Sequence, residues 1–226
     1  MQTITEEKQK PSVFDPSGFV LLSECVPDAV QEIRYFTAYN FVGERIDGYE
    51  EPCGILTREA AAALKRASDE CRSLGYRLKV FDAYRPARAV AHFVRWANDL
   101  SDQRMKRIFY PDLEKRELFK KEYISEKSGH SRGSAVDLTL LSEKTGEEID
   151  MGGPFDLLNE RSHPDYRGIT DAQYENRMLL RALMTRSGFL PIDCEWWHFF
   201  LKDEPYPDTY FDFPVSSEYL KEYAAR

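Results

Sequence analysis

Four side chains that can bind a metal ion or move a proton lie in two short segments of the sequence. His130 and Asp137 belong to the segment Ser128–Leu140, and Glu195 and His198 lie in a tetrapeptide near the C-terminus. A neutral imidazole and a carboxylate that a tight turn brings together supply half of a metal site. Two histidines, one aspartate and one further glutamate give three ligands and a base around an open coordination position. A hydrolytic zinc site needs this set of groups.

Taken alone, His130 and Asp137 are equally compatible with a structural hydrogen-bonded pair. The second segment favours the metal site, because His198 stands among Trp196, Trp197 and two phenylalanines, where an unpaired imidazole has little reason to be. The same aromatic residues would form a dry wall, which raises the pKa of a nearby carboxylate. Glu195 is therefore a suitable general base toward a metal-activated water.

Arg85 is the third candidate, because it follows the end of a predicted strand in the tripeptide Tyr84-Arg85-Pro86. Its guanidinium could stabilise the negative oxygen of a tetrahedral intermediate. The alternative is a surface salt bridge, which would be preferred if Arg85 stood alone.

The elements that must position these groups can be predicted from periodicity. Alternation after Ser134 places Ala135, Asp137 and Thr139 on one face of a buried strand. A second strand over residues 189–201 would carry Glu195 and His198 on opposite faces, because a step of three residues is odd. Both reach one metal ion only if the chain bends or bulges between them, and we predict this irregularity.

The remaining pattern predicts a single α+β domain with a central, mainly antiparallel sheet that carries the zinc site and is flanked by helices. Residues 17–226 would form this domain behind a flexible N-terminal arm at residues 1–16. The predicted elements are an early strand from Phe19, a strand into a loop over 32–43, a helix from a Thr57 cap to Leu74 with Leu74 in its core stripe, a strand over 76–82, a helix over 87–98, a helical excursion over 99–124, a capping-box helix from Thr170 to Arg186, and a short helix after Ser217.

Composition narrows the classes of partner. The chain has 226 residues and a formal net charge of -8, which argues against nucleic acid or an anionic wall polymer and favours a small substrate. No apolar run approaches a membrane span. The segment Met1–Lys10 is polar, and Cys25, Cys53, Cys71 and Cys194 show no C-x-x-C spacing, so we expect a cytoplasmic protein with reduced thiols.

The motifs Ser128-x-His130-x-x-Gly133-x-Ala135-x-Asp137 and Glu195-Trp196-Trp197-His198 resemble those of the zinc D-alanyl-D-alanine peptidases. Within them the chain is most similar to the D-Ala-D-Ala dipeptidases of the vancomycin-resistance type, in peptidase family M15. The similarity covers nearly everything from about Phe19 to Pro214. Its further blocks are Asp82-x-Tyr84-Arg85-Pro86, Phe155-Asp156, Glu160-Arg161-Ser162-His163 and Asp203-Glu204-Pro205-Tyr206-Pro207.

The resemblance implies a role for each site residue. It implies one zinc ion per chain, bound by His130, Asp137 and His198. It implies that Glu195 is the general base and that Arg85 holds the scissile carbonyl in the transition state. The dipeptide pocket would be lined by Tyr35, Ser128 and Asp156, with Asp156 facing the substrate ammonium.

The implied reaction is hydrolysis of D-alanyl-D-alanine to two D-alanines. The alternative is a D,D-carboxypeptidase that trims longer peptidoglycan peptides. A non-catalytic zinc-binding module is a third possibility, against which the presence of both Glu195 and Arg85 argues. Glycopeptide resistance and recycling of D-alanine would use the same site. The expected partner is a small dipeptide, without nucleic acid or membrane, and residues 99–124 could offer a homodimer surface.

Overall fold

The computed structural model describes residues 12–121 and 123–225. Its helices and strands are β1 (Phe19–Leu21), α1 (Leu22–Cys25), β2 (Val30–Gln31), β3 (Ile55–Thr57), α2 (Arg58–Ser73), β4 (Tyr76–Asp82), α3 (Ala87–Asn98), α4 (Lys106–Phe109), β5 (Ala135–Ser142), α5 (Asp171–Arg186), β6 (Phe189–Pro191), β7 (His198–Leu201) and α6 (Ser217–Ala224). Single 3-10 turns cover Arg34–Phe36, Lys115–Glu117, Gly129–Arg132 and Glu160–Ser162.

The central sheet has the strand order β2-β4-β5-β7-β6. The β2 and β4 strands are parallel, and the other three neighbouring pairs are antiparallel. A smaller antiparallel sheet joins β1 to β3. Helix α2 packs against β4 and against α5. The predicted single α+β domain with a mainly antiparallel central sheet is confirmed.

The middle strand β5 sets the position of the candidate site. Its residues from Ala135 to Leu141 are buried, as expected for a strand with a neighbour on each side. Asp137 lies opposite Asp82 of β4 and opposite His198 of β7. The register therefore brings these three polar residues, two of which are predicted metal ligands, to one level of the sheet.

The two long helices begin where the sequence predicts. The Thr57 side chain accepts a hydrogen bond from the Ala60 amide, and Thr170 forms the predicted capping box with Gln173. The prediction for Leu74 was wrong, because this residue is the C-terminal cap of α2 and its side chain is 50% exposed. A cap residue has left the helical geometry, so the periodicity of the buried stripe no longer applies to it.

The predicted strand over residues 189–201 is two strands. The β6 and β7 strands form an antiparallel pair, and residues 192–197 connect them. The His198 amide donates a hydrogen bond to the Glu195 carbonyl oxygen at 3.4 Å, and this bond closes a turn. The predicted bend between Glu195 and His198 is thus confirmed, although it belongs to a connection rather than to a bulge within a strand.

Residues 99–124 contain less helix than predicted. Helix α4 covers only Lys106–Phe109, and one 3-10 turn follows at Lys115–Glu117. The segment is held by a buried ammonium instead of by helical hydrogen bonds, because Lys115 Nζ donates to the carbonyls of Trp96 (2.7 Å) and Asp99 (2.9 Å). Residues 32–43 likewise contain a 3-10 turn in place of the predicted strand.

The described end of the predicted N-terminal arm is hydrogen-bonded to the C-terminal part of the chain. The Asp212 amide donates to the Val13 carbonyl at 2.8 Å, and the Tyr219 hydroxyl donates to the Phe14 carbonyl at 3.0 Å. Residues 1–11 of that arm lie outside the described residues.

The C-terminal segment 211–215, which we call the C-terminal strap, connects several parts of the domain. The Phe211 amide donates to the Ser131 carbonyl at 2.8 Å, and the Phe211 carbonyl accepts from the Ala87 amide at 2.9 Å. The Val215 amide donates to the Gly48 carbonyl at 2.8 Å. The strap therefore links the start of α3 to the turn on which His130 lies.

Every helix within residues 12–121 and 123–225 is too short or too polar to cross a membrane.

Candidate active site

Three potential metal ligands converge at the level of Asp137 in the sheet. The Nε2 atom of His130 lies 3.2 Å from Asp137 Oδ2 and 3.1 Å from His198 Nδ1. The His198 Nδ1 atom lies 3.0 Å from Asp137 Oδ1. The 3-10 turn supplies His130, the β5 strand supplies Asp137, and the first residue of β7 is His198.

The tautomer of His130 follows from its second ring nitrogen. The Nδ1 atom lies 2.6 Å from the Ala83 carbonyl oxygen, which can only accept a hydrogen bond. The Nδ1 atom therefore carries the proton, and the lone pair of Nε2 faces Asp137 and His198. Ser128 caps the turn through its Oγ, which accepts from the His130 amide at 3.3 Å. Gly133 closes the turn with a φ of +80°.

The donor set fits a zinc ion. Ligand bonds of about 2.0–2.1 Å in a tetrahedron separate the donor atoms by about 3.3 Å. The two imidazole nitrogens lie 3.1 Å apart, and each is close to a different oxygen of Asp137, at 3.2 Å for His130 and 3.0 Å for His198. With one ligand atom taken from each residue, all three atoms lie within 4.8 Å of one another. Burial alone would raise the pKa of Asp137, but His130 and His198 outweigh it and hold that pKa well below its usual range. Asp137 is therefore a carboxylate, as a metal ligand must be.

Glu195 lies next to this cluster without being part of it. Its Oε2 atom is 3.9 Å from His198 Nδ1. Burial outweighs the attraction of His198 and raises the pKa of Glu195 to about 7, with the charge of Asp137 acting in the same direction. A carboxyl group with this pKa takes up and releases a proton near neutral pH, which a general base and acid must do.

Arg85 is held beside the cluster by two carboxylates. Its Nε and Nη2 atoms both lie 2.9 Å from Asp82 Oδ2, and Nη2 lies 3.5 Å from Asp137 Oδ2. Its side chain is only 12% exposed, so the surface salt bridge that was the alternative is excluded. The guanidinium carbon lies 4.9 Å from the centre of the Tyr35 ring, which covers one face of the group.

Tyr35 and Asp156 form a buried pair on another side of the site. The Tyr35 hydroxyl donates to Asp156 Oδ1 at 3.1 Å, whereas Asp156 Oδ2 is buried and receives no hydrogen bond from the described residues. Burial, assisted by the charge of Asp137, raises the pKa of Asp156 well above its usual range. Asp156 also has a φ of +63°, which costs free energy for a residue with a Cβ.

A single cavity of about 210 Å³ contains the whole predicted set. Its lining includes all eight residues that the sequence predicts, namely Tyr35, Arg85, Ser128, His130, Asp137, Asp156, Glu195 and His198. Its apolar wall includes Phe41, Val90, Phe93, Leu158 and Ile192. The side chains therefore meet in one place, although their roles in binding and catalysis remain predictions.

Two buried residues beside the site were not predicted to act there. Asp82 accepts from Arg85, lies 3.6 Å from His130 Nδ1 and accepts from the Tyr49 hydroxyl at 2.6 Å. Burial raises the pKa of Asp82 despite the charge of Arg85. The signal in the sequence was an aspartate at the buried end of a strand, three residues before Arg85. Nothing in the sequence pattern indicates Tyr49.

Comparison with known proteins gives consistent matches. A family model described as "D-ala-D-ala dipeptidase" (Peptidase_M15) matches residues 15–216. A D-alanyl-D-alanine dipeptidase of Enterococcus faecalis is 46% identical over 88% of this chain and 99% of its own length. One of Streptomyces coelicolor is 43% identical over 88% of this chain and 98% of its own length. The solved vancomycin resistance D,D-pentapeptidase VanY in complex with Zn(II) has a TM-score of 0.41 at 15% identity, over 79% of this chain and 83% of that one.

Proposed function

The chain belongs to peptidase family M15, a family of hydrolytic metallopeptidases, and from this premise we propose that it hydrolyses D-alanyl-D-alanine to two D-alanines. The choice of this dipeptide and of the D configuration is supported by the names of the relatives. The residues of this chain support zinc dependence and the assignment of steps to side chains.

One zinc ion per chain would be bound by His130, Asp137 and His198, whose ligand atoms all lie within 4.8 Å of one another. When bound, zinc supplies Lewis acidity toward the scissile carbonyl and lowers the pKa of a water molecule. The hydrogen bond from His130 Nδ1 to the Ala83 carbonyl keeps the ligating nitrogen unprotonated.

Glu195 would act as the proton carrier. Its carboxylate takes a proton from the attacking water, the water oxygen bonds to the carbonyl carbon, and the C–N bond then breaks as Glu195 returns that proton to the leaving amine. A pKa of about 7 allows both transfers near neutral pH. No covalent bond to the enzyme forms at any stage, so Ser128 needs no role as a nucleophile.

Arg85 would stabilise the oxygen that becomes negative during the attack. Its guanidinium is fixed by Asp82 and covered by the Tyr35 ring, so it needs no reorganisation when charge develops. Preorganisation of this kind accounts for much of the rate enhancement of acyl-transfer enzymes.

The single observation that carries the dipeptidase proposal is the unsatisfied oxygen of Asp156. A buried carboxyl oxygen without a partner is costly, and burial raises the pKa of Asp156. An ammonium group in the same cavity would donate to this oxygen and favour the carboxylate form. A dipeptide has such an ammonium beside its scissile bond, whereas a longer wall peptide has an amide there. The structure thus favours a free dipeptide over an acylated substrate.

The test compares D-Ala-D-Ala with N-acetyl-D-Ala-D-Ala by mass detection of released D-alanine. We expect efficient cleavage of the free dipeptide and little or none of the acylated one. Asp156→Asn should narrow this gap by lowering kcat/KM for the free dipeptide, and Asp165→Asn, at an exposed residue paired with Arg181, serves as the control. Equal cleavage of both substrates by the unmodified enzyme would favour the D,D-carboxypeptidase.

We also propose that the enzyme works in the cytoplasm and can associate as a homodimer. The thiols of Cys25, Cys53 and Cys71 are free, which suits a reducing compartment.

The homodimer is supported by Leu100 and Ile108, which are large exposed hydrophobic residues within 99–124, where a second copy could bind. Sedimentation of the protein with and without Ile108→Glu tests the dimer, and a monomer at all concentrations would exclude it.

A further inference from the structure

Arg177 of α5 is a buried cation whose three nitrogens all bind backbone carbonyls. The residue is 1% exposed. Its Nε donates to the Met151 carbonyl at 2.6 Å, its Nη1 to the His163 carbonyl at 2.8 Å and its Nη2 to the Arg161 carbonyl at 2.9 Å. The three acceptors belong to one segment, residues 150–163, which we call the ammonium segment because it carries Asp156.

The neighbouring residues of α5 bind the start of the same segment. Gln173 Nε2 donates to Asp150 Oδ2 at 2.8 Å, and Asn176 Nδ2 donates to the Asp150 carbonyl at 2.9 Å. Positions 173, 176 and 177 lie on one face of a helix because they are separated by three and four residues. Helix α5 therefore holds both ends of the ammonium segment. Of these three side chains, Arg177 alone donates to carbonyls near both ends.

The ammonium segment in turn contacts the loop that carries Glu195. The Ser162 carbonyl accepts from the Trp196 amide at 2.9 Å, one residue after Glu195. The Ser162 hydroxyl donates back to the Leu157 carbonyl at 2.5 Å, one residue after Asp156. A displacement of residues 161–163 would therefore disturb the positions of both Asp156 and Glu195.

We infer that Arg177 is a positioning residue, which keeps the substrate-binding carboxylate Asp156 and the loop of Glu195 at a fixed separation. This inference rests on the proposed function, since it takes the roles of Asp156 and Glu195 from there. A planar guanidinium presents its donors in a fixed fork, whereas an ammonium on a flexible stem is a point donor and cannot reach three separated carbonyls at once. Arg177→Lys thus keeps the charge and removes the fork.

The experiment measures kcat and KM for D-Ala-D-Ala at 25 °C, together with bound zinc and Tm. Misplacement of reacting groups by about 1 Å lowers the rate on the order of 100-fold. We expect Arg177→Lys to lower kcat/KM about 10- to 100-fold, through both a higher KM and a lower kcat, with zinc retained. Asn176→Ala removes one hydrogen bond at one end and should give a smaller change in the same direction. Arg186→Lys is the matched control, because Arg186 lies on the same helix and pairs with Glu70.

Three outcomes would overturn the inference. The first is an Arg177→Lys enzyme with a lower Tm and unchanged kcat and KM, which would make Arg177 a purely stabilising residue. The second is an equal loss in the Arg186→Lys enzyme. The third applies if Arg177→Lys does not fold, in which case unchanged constants for Asn176→Ala decide against it. A failure of the proposed function is distinguishable, because the unmodified enzyme would then not cleave the dipeptide.

Discussion

Asp137 and His198 are paired across the antiparallel strands β5 and β7, and Asp137 Oδ1 lies 3.0 Å from His198 Nδ1. The third ligand, His130, comes from a turn that precedes β5. Because three different elements supply the ligands, the site exists only in the folded chain. Binding of zinc would therefore contribute directly to the stability of the fold.

His198→Ala should remove most of the bound zinc. Loss of one of three protein ligands leaves two donors, which are too few to hold the ion against a chelator. Metal analysis after dialysis against a weak chelator measures the effect. His92→Ala is the control, because His92 pairs with Glu44 and Asp47 instead. Full zinc retention by the His198→Ala protein would remove this residue from the ligand set.

Glu195→Gln should keep zinc and the fold but lower kcat by about 10² to 10⁴, as expected for the loss of a general base. In the unmodified enzyme, kcat/KM should fall on the acidic side as Glu195 takes up a proton. The midpoint should lie at or below a pH of about 7, because a bound dication would lower the raised pKa of Glu195. The pH profile from 5 to 9 provides the measurement, and an acidic limb that survives in the Glu195→Gln enzyme would assign it to another group.

Arg85→Ala should lower kcat more than it raises KM, because the contact strengthens as negative charge develops on the carbonyl oxygen. Steady-state kinetics separate the two constants. Arg88→Ala is a suitable control, since Arg88 lies three residues on and binds Asp212. A change in KM alone would show that Arg85 binds the substrate as strongly in the ground state as in the transition state.

Gly133→Ala should destabilise the protein and weaken zinc binding. A Cβ there would lie 2.1 Å from Phe19 Cε1, and its φ of +80° disfavours any other residue. We expect the free energy of unfolding to fall by about 2–5 kcal/mol, because the left-handed conformation and the steric overlap both disfavour alanine. Gly75 has a similar φ of +83° with nothing within 4 Å, so Gly75→Ala should cost only about 1 kcal/mol. Denaturant unfolding gives both values, and equal losses would show that the contact with Phe19 relaxes freely.

The sequence predicts the elements whose pattern is local. The cap at Thr57, the capping box at Thr170 and the alternation around Asp137 depend on neighbours within a few residues, and each is found in the structure. The bend before His198 could also be predicted, because it follows from the requirement that Glu195 reach the same site.

The parts that the sequence does not predict depend on contacts between distant residues. Lys115 looks like one charge in a solvated run, yet it is buried because two carbonyls near the end of α3 accept from its ammonium. Arg177 likewise resembles an exposed helix residue, although its acceptors lie 14 to 26 residues away along the chain. Tyr49 becomes part of the site only through its hydrogen bond to Asp82. Periodicity carries no information on such partners.

The C-terminal strap has a consequence for the order of events during synthesis. Phe211 is the residue that holds the His130 turn to the start of α3, and it leaves the ribosome after every ligand and after the general base. A nascent chain emerges from its N-terminus, and domains fold as units once their sequence is available. The metal site should therefore be completed only after Phe211 has emerged, so a chain interrupted before this residue would be released without a working site.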